Sequence, residues 1–438
     1  MRYYIRSLIK LIRNTYQMVR PHERRVVLSN VASLSGVQAI TYLLPMLILP
    51  YLFRVIGPAK FGLISFAQAF VQYFMILTDY GFSISATKEI SLCREEHAKV
   101  SKIFSSVMTV KVALALLSLV ILGVTVYFIP KFRNDWLVYV LSFGAVVGNT
   151  IFPIWFFQGL EKMKYIADLN IAGGIIFAFL VFFLVKGPED YLMVPLINSV
   201  VFLITGLLGQ YIVFKRFRVS FKFEGYHNVR EQLKVGWDLF ISIVAINAYT
   251  TTRIFAVGLL TNNMMTGFYS IAEKIANAVQ TFPLAAFSQA IFPRLSKIFH
   301  KNKIKALQMM QQIQLITIKI SLICLPLIFT FAHVIVRVVC GGDYPETVLS
   351  LRLLIISVFF ISSNAFRVQF LLVCGKTDIY SRIHVLMAMI GLPLIFLLIY
   401  SFSYVGAAVA TVILETGIFT ITYFTVKKLA LSLKKSSH

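Results

Sequence analysis

Hydrophobic and polar positions along this chain alternate on a long scale. Apolar runs of about 20 residues or more are separated by short polar interruptions, about twelve times over. An apolar helix needs about 20 residues to cross the core of a bilayer, and backbone polar groups cannot stay unpaired in lipid. The pattern predicts an all-α polytopic membrane protein with about twelve transmembrane helices, at residues 27–53, 61–82, 104–128, 136–157, 166–185, 191–214, 235–260, 267–292, 313–339, 348–373, 383–402 and 405–426.

The positive charges fall mainly on one side of these spans. The chain is 58% hydrophobic and has a net charge of +24. If the first residues are cytoplasmic, about 30 Lys and Arg residues lie on the cytoplasmic side. The opposite loops hold about five, namely Arg54, Lys60, Lys131, Arg133 and Lys186. This bias predicts that both termini are cytoplasmic. It indicates the lipid bilayer as a partner, including anionic lipid at the inner surface, and no nucleic acid.

The two halves of the chain echo each other. The longest polar loop, residues 215–234, separates six predicted spans from six. The second span begins with Gly62, Ser65 and Ala67, and the eighth begins in the same register with Gly267, Ser270 and Ala272. An even repeat predicts two parallel six-helix lobes around a central cavity, and transporters built in this way bind their substrate between the lobes. The predicted divisions are a basic amphipathic arm (1–26), an N-terminal lobe (27–214), a linker (215–234), a C-terminal lobe (235–426) and a basic tail (427–438).

Polar side chains recur along single faces of several spans. Residues three, four and seven positions apart lie on one face of a helix, and lipid disfavours such a polar face. We therefore expect these faces to line a shared polar lumen, although hydrogen bonding between helices would explain any one of them. The candidates for the cavity wall are Gln68 and Gln72 in the second span, Asn247 in the seventh, and Glu273, Asn277 and Gln280 in the eighth.

Ionisable residues within the spans are a sharper signal. Arg253 precedes the end of the seventh span by about as many residues as Glu273 and Lys274 follow the start of the eighth. At about 1.5 Å per residue, an antiparallel hairpin brings all three to a similar depth. Consecutive helical residues point about 100° apart. We expect one of Glu273 and Lys274 to face the lumen and the other to pair with Arg253 or a neighbouring helix.

Four further ionisable residues are candidates. For Lys111 and Arg367, lining of the lumen and snorkelling or structural pairing are both open interpretations. Glu415 lies among apolar residues in the last span, so it is either protonated or hydrogen-bonded to another helix. Glu415 and Asp79 are the candidates for proton coupling.

The bases suggest the chemistry of the cargo. Arg and Lys side chains donate hydrogen bonds to phosphate oxygens and would replace much of the hydration that an anionic headgroup loses. The sequence contains no phosphate-binding loop, no segment long enough for a soluble catalytic domain, and no paired cysteines or metal-ligand spacing. We therefore predict a protein that is not an enzyme, with no cofactor and no metal site, and with H⁺ or Na⁺ as a coupling ion if transport is ion-driven.

Several sequence segments resemble a known family. The segments are 44–57 (LPMLILPYLFRVIG), 61–67 (FGLISFA), 79–83 (DYGFS), 156–162 (FFQGLEK) and 267–275 (GFYSIAEKI). With them, nearly the whole chain resembles the polysaccharide-exporter branch of the multidrug/oligosaccharidyl-lipid/polysaccharide flippase superfamily, the Wzx-type O-antigen repeat-unit flippases.

This resemblance implies two six-helix lobes that translocate undecaprenyl-pyrophosphate-linked oligosaccharide across the bacterial cytoplasmic membrane, from the inner to the outer leaflet, by alternating access. It implies lipid-linked oligosaccharide as substrate, and a polysaccharide polymerase and a chain-length regulator as partners. Arg253 and Lys274 match the lumen-lining helices by location only. Two alternatives stay open: a cation-coupled drug antiporter of the same superfamily, and a membrane glycosyltransferase or polymerase.

Overall fold

The computed structural model describes the backbone of residues 21–435 and the side chains of residues 44–281, 295–299 and 301–433. Within these bounds the protein is helical and contains no strand. Most of the predicted basic arm and part of the basic tail lie outside the described residues. The prediction of an all-α membrane protein is confirmed.

Fourteen helices make up the described chain. They are α1 (Pro21–Asp79), α2 (Ser85–Leu92), α3 (His97–Phe128), α4 (Pro130–Asn134), α5 (Trp136–Ile151), α6 (Ile154–Gly159), α7 (Met163–Leu184), α8 (Met193–Arg216), α9 (Gly225–Leu260), α10 (Asn263–Lys301), α11 (Lys303–Thr330), α12 (Ala332–Cys340), α13 (Pro345–Val373) and α14 (Thr377–Lys435), with a short 3₁₀ helix at Pro188–Leu192. Following the division predicted from the sequence, we refer to α1–α8 as the N-terminal lobe and to α9–α14 as the C-terminal lobe.

Two of the helices are broken by a residue with non-helical backbone angles. Gly57 interrupts α1 at φ 76°, which glycine adopts without steric cost, and Ser403 interrupts α14 at φ 54°. In the described part of the chain, nine segments are long and apolar enough to cross a membrane. The segments Leu44–Asp79 and Thr377–Leu433 each overlap two predicted spans, so the nine segments overlap eleven of the twelve. The remaining span, 267–292, lies in α10, and the count of twelve stays a prediction.

The helix boundaries differ from the sequence prediction at two places. Helix α9 begins at Gly225, so the second half of the predicted linker is helical. This polar first part of α9 is held by Gln232, whose Nε2 donates to Glu89 Oε2 at 2.9 Å. The predicted span 313–339 is divided, because α11 ends at Thr330 and the short α12 follows. Hydropathy predicted neither the early start of α9 nor the division after Thr330, because it does not record local hydrogen bonds.

The lobes meet along two seams. The α1–α9 seam joins the second half of α1 to α9, with Tyr80 stacked on Phe240 near one end (ring centroids 4.6 Å apart). At mid-depth the Tyr73 hydroxyl lies 2.7 Å from Thr252 Oγ1. The α1–α10 seam joins α1 to α10. A substrate site is therefore expected where the lobes leave space beside these seams.

Candidate functional site

A cavity of about 410 Å³ lies between the lobes on the side of the α1–α10 seam. Its wall is mainly aliphatic and aromatic, with contributions from α1, α7, α8 and α10. The polar side chains on the wall are Ser65, Gln68, Lys274, Asn277 and Thr281. Ser65 is 2% exposed, and its hydroxyl has no hydrogen-bond partner in the structure. The cavity is thus amphipathic, with an apolar wall and a small group of hydrogen-bonding side chains.

Lys274 is the charged residue on the described wall of this cavity. Its Nζ lies 5.1 Å from the ring centroid of Phe61, which belongs to the other lobe. Among the described side chains, no carboxylate forms an ion pair with Lys274. A cation over a ring face gains modest attraction but keeps its hydrogen-bond donors free. The ammonium is therefore placed to bind an anion that enters the cavity.

Glu273 faces the opposite way, into the C-terminal lobe. Its Oε1 lies 3.0 Å from Arg253 Nη2, and both side chains are nearly buried, with 6% and 12% exposed. Arg253 also donates from Nη1 to Thr411 Oγ1 (3.2 Å) and from Nε to the Thr250 carbonyl (3.2 Å). The predicted pairing of Arg253 with one of the two neighbours is confirmed. The expectation that Glu273 and Arg253 themselves line the cavity is corrected, because each occupies the other.

Lys111 is enclosed within the N-terminal lobe and does not line the cavity. It is 2% exposed, and its Nζ donates to the Asn149 carbonyl oxygen at 3.5 Å. Asp79 interacts with it electrostatically from the end of α1, while Asp79 Oδ2 accepts a hydrogen bond from Ser83 at 3.0 Å. Lys111 therefore lies between helices of one lobe.

Arg367 occupies a comparable place inside the C-terminal lobe. It is 6% exposed, and with the Gln314 amide turned so that its oxygen faces the guanidinium, that oxygen accepts from Nε at 2.8 Å and from Nη2 at 2.5 Å. The guanidinium lies 4.5 Å from the ring centroid of Phe419 and 5.0 Å from that of Tyr423. The structure thus favours structural pairing for Lys111 and Arg367.

The other polar candidates divide between the cavity and the lobes. Gln68 and Asn277 line the cavity. Asn247 donates from Nδ2 to the Ile243 carbonyl of its own helix at 2.9 Å. Gln72 is exposed and Gln280 is half-buried, and neither belongs to the described cavity wall. A stripe of polar residues shows which face of a helix avoids lipid. It does not show whether that face lines a cavity or forms hydrogen bonds within the protein.

Glu415 belongs to a second polar group in the C-terminal lobe. It interacts electrostatically with Arg253, which therefore serves two carboxylates. Nearby, the Tyr249 hydroxyl lies 2.9 Å from His384 Nδ1. In the residues that the structure describes, no group of three or more His, Cys, Asp or Glu side chains is arranged to hold a metal ion. The fixed positive charge beside Glu273 and Glu415 is therefore the guanidinium of Arg253.

Two glycines form a close backbone contact between the lobes. A Cβ on Gly62 would overlap the carbonyl oxygen of Asn263 and the backbone nitrogen of Gly267, and a Cβ on Gly267 would overlap the carbonyl oxygen of Pro58. The two glycines occupy equivalent positions of the sequence repeat. The contact is therefore reciprocal, and it closes the α1–α10 seam on the predicted external side of the cavity.

Two further side chains, Arg54 and Lys131, join the lobes on the same predicted external side. Arg54 and Lys131 were counted only as exceptions to the charge bias, yet both cross to the C-terminal lobe. Their position before or after a span end, in loops otherwise poor in bases, was the available signal.

Comparisons with known proteins agree with this geometry. Residues 27–299 match the family model described as "Polysaccharide biosynthesis protein". The chain is 33% identical over 396 residues to a protein of Escherichia coli (strain K12) named "Putative O-antigen transporter", covering 88% of this chain and 93% of that protein.

Solved structures share the fold at low sequence identity. One is the lipid II flippase MurJ in an inward closed conformation, with a TM-score of 0.72 at 13% identity, covering 91% of this chain and 89% of that one. Another is an inward-facing multidrug resistance MATE family transporter of the MOP superfamily, with a TM-score of 0.67 at 13% identity, covering 90% of this chain and 96% of that one. By the extent of the family match and the E. coli relative, this multi-pass membrane protein belongs to the polysaccharide biosynthesis protein family.

Proposed function

We propose that this protein is a flippase for lipid-linked oligosaccharides, and that its substrate is an undecaprenyl-pyrophosphate-linked repeat unit of O-antigen or a related surface polysaccharide. It moves this substrate from the inner to the outer leaflet of the bacterial cytoplasmic membrane by alternating access. The relative named as an O-antigen transporter supports the class of cargo. The fold shared with a lipid II flippase supports the architecture.

The observation that carries the proposal is the ammonium of Lys274, without an ion-pair partner among the described side chains, on a mainly apolar cavity wall between the lobes. An uncompensated phosphate in hydrocarbon costs on the order of tens of kcal/mol. Lys274 supplies charge and hydrogen-bond donors, and because Arg253 neutralises the adjacent Glu273, the Lys274 charge is available to a substrate. Gln68 and Asn277 offer amide groups of the kind that hydrogen-bond sugar hydroxyls.

The same wall argues against a drug antiporter. A cationic drug requires negative charge in the cavity, and the described part of the wall carries Lys274 and no carboxylate. The direction of transport has a physical source as well. With a negative cell interior, exporting each negative charge is favoured by about 2.3 kcal/mol per 100 mV.

Protons are the coupling ion that the C-terminal lobe favours. Arg253 already places a fixed positive charge between Glu273 and Glu415, which repels Na⁺ from this cluster. A proton that binds Glu415 would instead neutralise its carboxylate, which Arg253 does not contact directly. Glu415 is thus the proposed proton carrier. Asp79, hydrogen-bonded to Ser83, stays a weaker prediction for this role.

A vesicle assay tests the proposal. The purified protein is placed in vesicles with lipid-linked oligosaccharide, and the fraction of glycan that an impermeant glycosidase can reach is followed with time. We expect Lys274→Met to slow transfer about 10- to 100-fold, the worth of a hydrogen bond to a charged group. Lys274→Arg should retain most of the rate.

The matched control is Lys376→Met, because Lys376 is exposed in a connection between helices. Normal transfer by Lys274→Met, at an equal amount of folded protein, would remove Lys274 from the substrate site. A membrane potential that leaves the wild-type rate unchanged would contradict the proposed driving force.

A further inference from the structure

Two basic side chains of the N-terminal lobe bind the ends of helices in the C-terminal lobe. Arg54, near the end of the first half of α1, donates from Nε to the Val339 carbonyl at 3.1 Å and from Nη2 to the Val338 carbonyl. Lys131, in α4, donates from Nζ to the carbonyls of Leu259 (3.0 Å) and Thr261 (2.8 Å). Both contacts lie on the predicted external side.

The carbonyls are of a particular kind. Val338 and Val339 belong to the last turn of α12, and Leu259 and Thr261 lie at the end of α9. The last four carbonyls of a helix have no partner within the helix and carry the negative end of its dipole, so a cation there is stabilising. Arg54 and Lys131 therefore act as C-terminal caps supplied by the opposite lobe.

This crossing is selective. The predicted external loops hold few bases, and two others stay within the N-terminal lobe. Lys60 lies 4.0 Å from the ring centroid of Tyr191, and Lys186 donates to the Phe182 carbonyl at 2.6 Å. The two bases that cross flank the Gly62–Gly267 contact, with Arg54 reaching α12 and Lys131 reaching α9.

These contacts are suited to repeated breakage. Arg54 is exposed and Lys131 is half-buried, so water can hydrate both the base and the carbonyls when they separate. The buried pair of Arg253 and Glu273 lacks this property, because separation would leave a charge in the membrane interior. An interaction at a surface costs little to break, while two acting together still bias an equilibrium.

We propose that Arg54 and Lys131 form a latch that holds the two lobes together on the external side, and that its release is the step by which the cavity opens outward. The proposal rests on the proposed function only in requiring that this side opens during transport.

The chain contains its own reporter of this opening. Cys340 is the last residue of α12, is 2% exposed, and is adjacent in sequence to the carbonyls that Arg54 binds. Cys93 and Cys374 lie at the predicted cytoplasmic side, and Cys324 lies within α11. A membrane-impermeant maleimide added to intact cells should therefore reach Cys340 only after the external side opens, and Cys340→Ser identifies its share of the label.

The experiment compares labelling rates in Arg54→Met, Lys131→Met and the double variant. We expect each single change to raise the rate about two- to thirty-fold, the range of a cation at a helix end, and the double change to raise it further. Lys60→Met is the control, because Lys60 stays within one lobe. Arg54→Lys should label close to the wild-type rate.

Lys131→Met decides the question, since Lys131 contacts α9 and not α12. If Arg54→Met alone increases labelling, the cause is local loosening of α12 and the latch is refuted. Equal labelling in all variants also refutes it. Because the readout needs no glycan, its failure is separate from a failure of the proposed cargo.

Discussion

Gly62 and Gly267 approach each other so closely that neither position has room for a methyl group. Each begins the corresponding helix of one half of the sequence repeat, and each also lies against the backbone four residues before the other, at Asn263 and Pro58. Small residues allow such close approach of helices in membranes. Two equivalent positions of the internal repeat are therefore in contact with each other's helix between the lobes.

Alanine at either glycine should weaken this contact. We expect Gly62→Ala and Gly267→Ala each to destabilise the closed seam by about 1–3 kcal/mol, the usual cost of overpacking. The measurement is thermal unfolding in detergent, together with maleimide labelling of Cys340. Gly123→Ala is the control, because a Cβ on Gly123 meets nothing within 4 Å. If both variants unfold at the same temperature as Gly123→Ala and label Cys340 at the same rate, the two backbones are not in contact in the membrane.

The Arg253–Glu273 pair should show strong coupling. Arg253→Ala leaves a buried carboxylate without its partner, at a cost of about 3–5 kcal/mol, so the folded protein should fall sharply in amount. The double variant Arg253→Ala/Glu273→Gln removes both charges and should recover much of the loss. A double-mutant cycle on unfolding temperature measures this coupling. Additive effects of the two single changes would contradict the pairing.

Lys111 and Lys274 should respond differently to the same substitution. Lys111→Met replaces an enclosed charge by an apolar side chain of similar length, and among the described residues this charge forms no ion pair that would offset the cost of its burial. We expect normal glycan transfer and an unfolding temperature at or above that of the wild type. Lys274→Met should lose transfer without losing stability. Loss of transfer in Lys111→Met at normal stability would return Lys111 to the substrate site.

Proton coupling through Glu415 predicts a specific pH response. Wild-type transfer in vesicles should change with an imposed pH gradient and not with an imposed Na⁺ gradient. Glu415→Gln should abolish the pH response, because the amide cannot exchange a proton. Glu189→Gln is a matched change at an exposed residue of the short 3₁₀ helix Pro188–Leu192. A pH response that persists in Glu415→Gln would exclude this residue as the carrier.

An exposed ion pair should behave unlike the buried one. Arg94 Nη2 lies 2.8 Å from Glu161 Oε1, and the guanidinium lowers the pKa of that carboxyl. A lowered pKa contributes stability above the unfolded value of about 4.3, and this contribution is lost as the pH falls through the folded value. Arg94→Ala should therefore reduce the unfolding temperature slightly at pH 7 and not at pH 3. A larger decrease in unfolding temperature at pH 3 than at pH 7 would contradict this prediction.

Much of the architecture was predictable because a bilayer imposes simple rules. The length of the apolar runs located most of the apolar helices, and helical geometry placed Arg253 level with Glu273 and Lys274. The angle of about 100° between consecutive residues then separated the two neighbours, so that one paired and one faced the cavity. Each of these inferences concerns one helix or one hairpin.

Contacts between distant helices were not predictable in this way. The depth of Lys111 and Arg367 follows from sequence position, but the identity of their neighbours, Asn149 and Gln314, depends on how each lobe packs. Arg54 and Lys131 bind backbone carbonyls, which every residue type possesses, so no pattern of side chains could reveal their partners. The break at Phe331 likewise leaves hydropathy unchanged.

Two hydrogen bonds outside the proposed latch join the lobes beside α9, between Tyr73 of α1 and Thr252 and between Glu89 of α2 and Gln232. The cavity lies beside the other seam, between α1 and α10. If the lobes rotate about these two bonds, the α1–α10 seam separates most. A long hydrocarbon tail could then remain in the surrounding lipid while only the polar head passes between the lobes. The rate of transfer should accordingly be insensitive to the length of that tail.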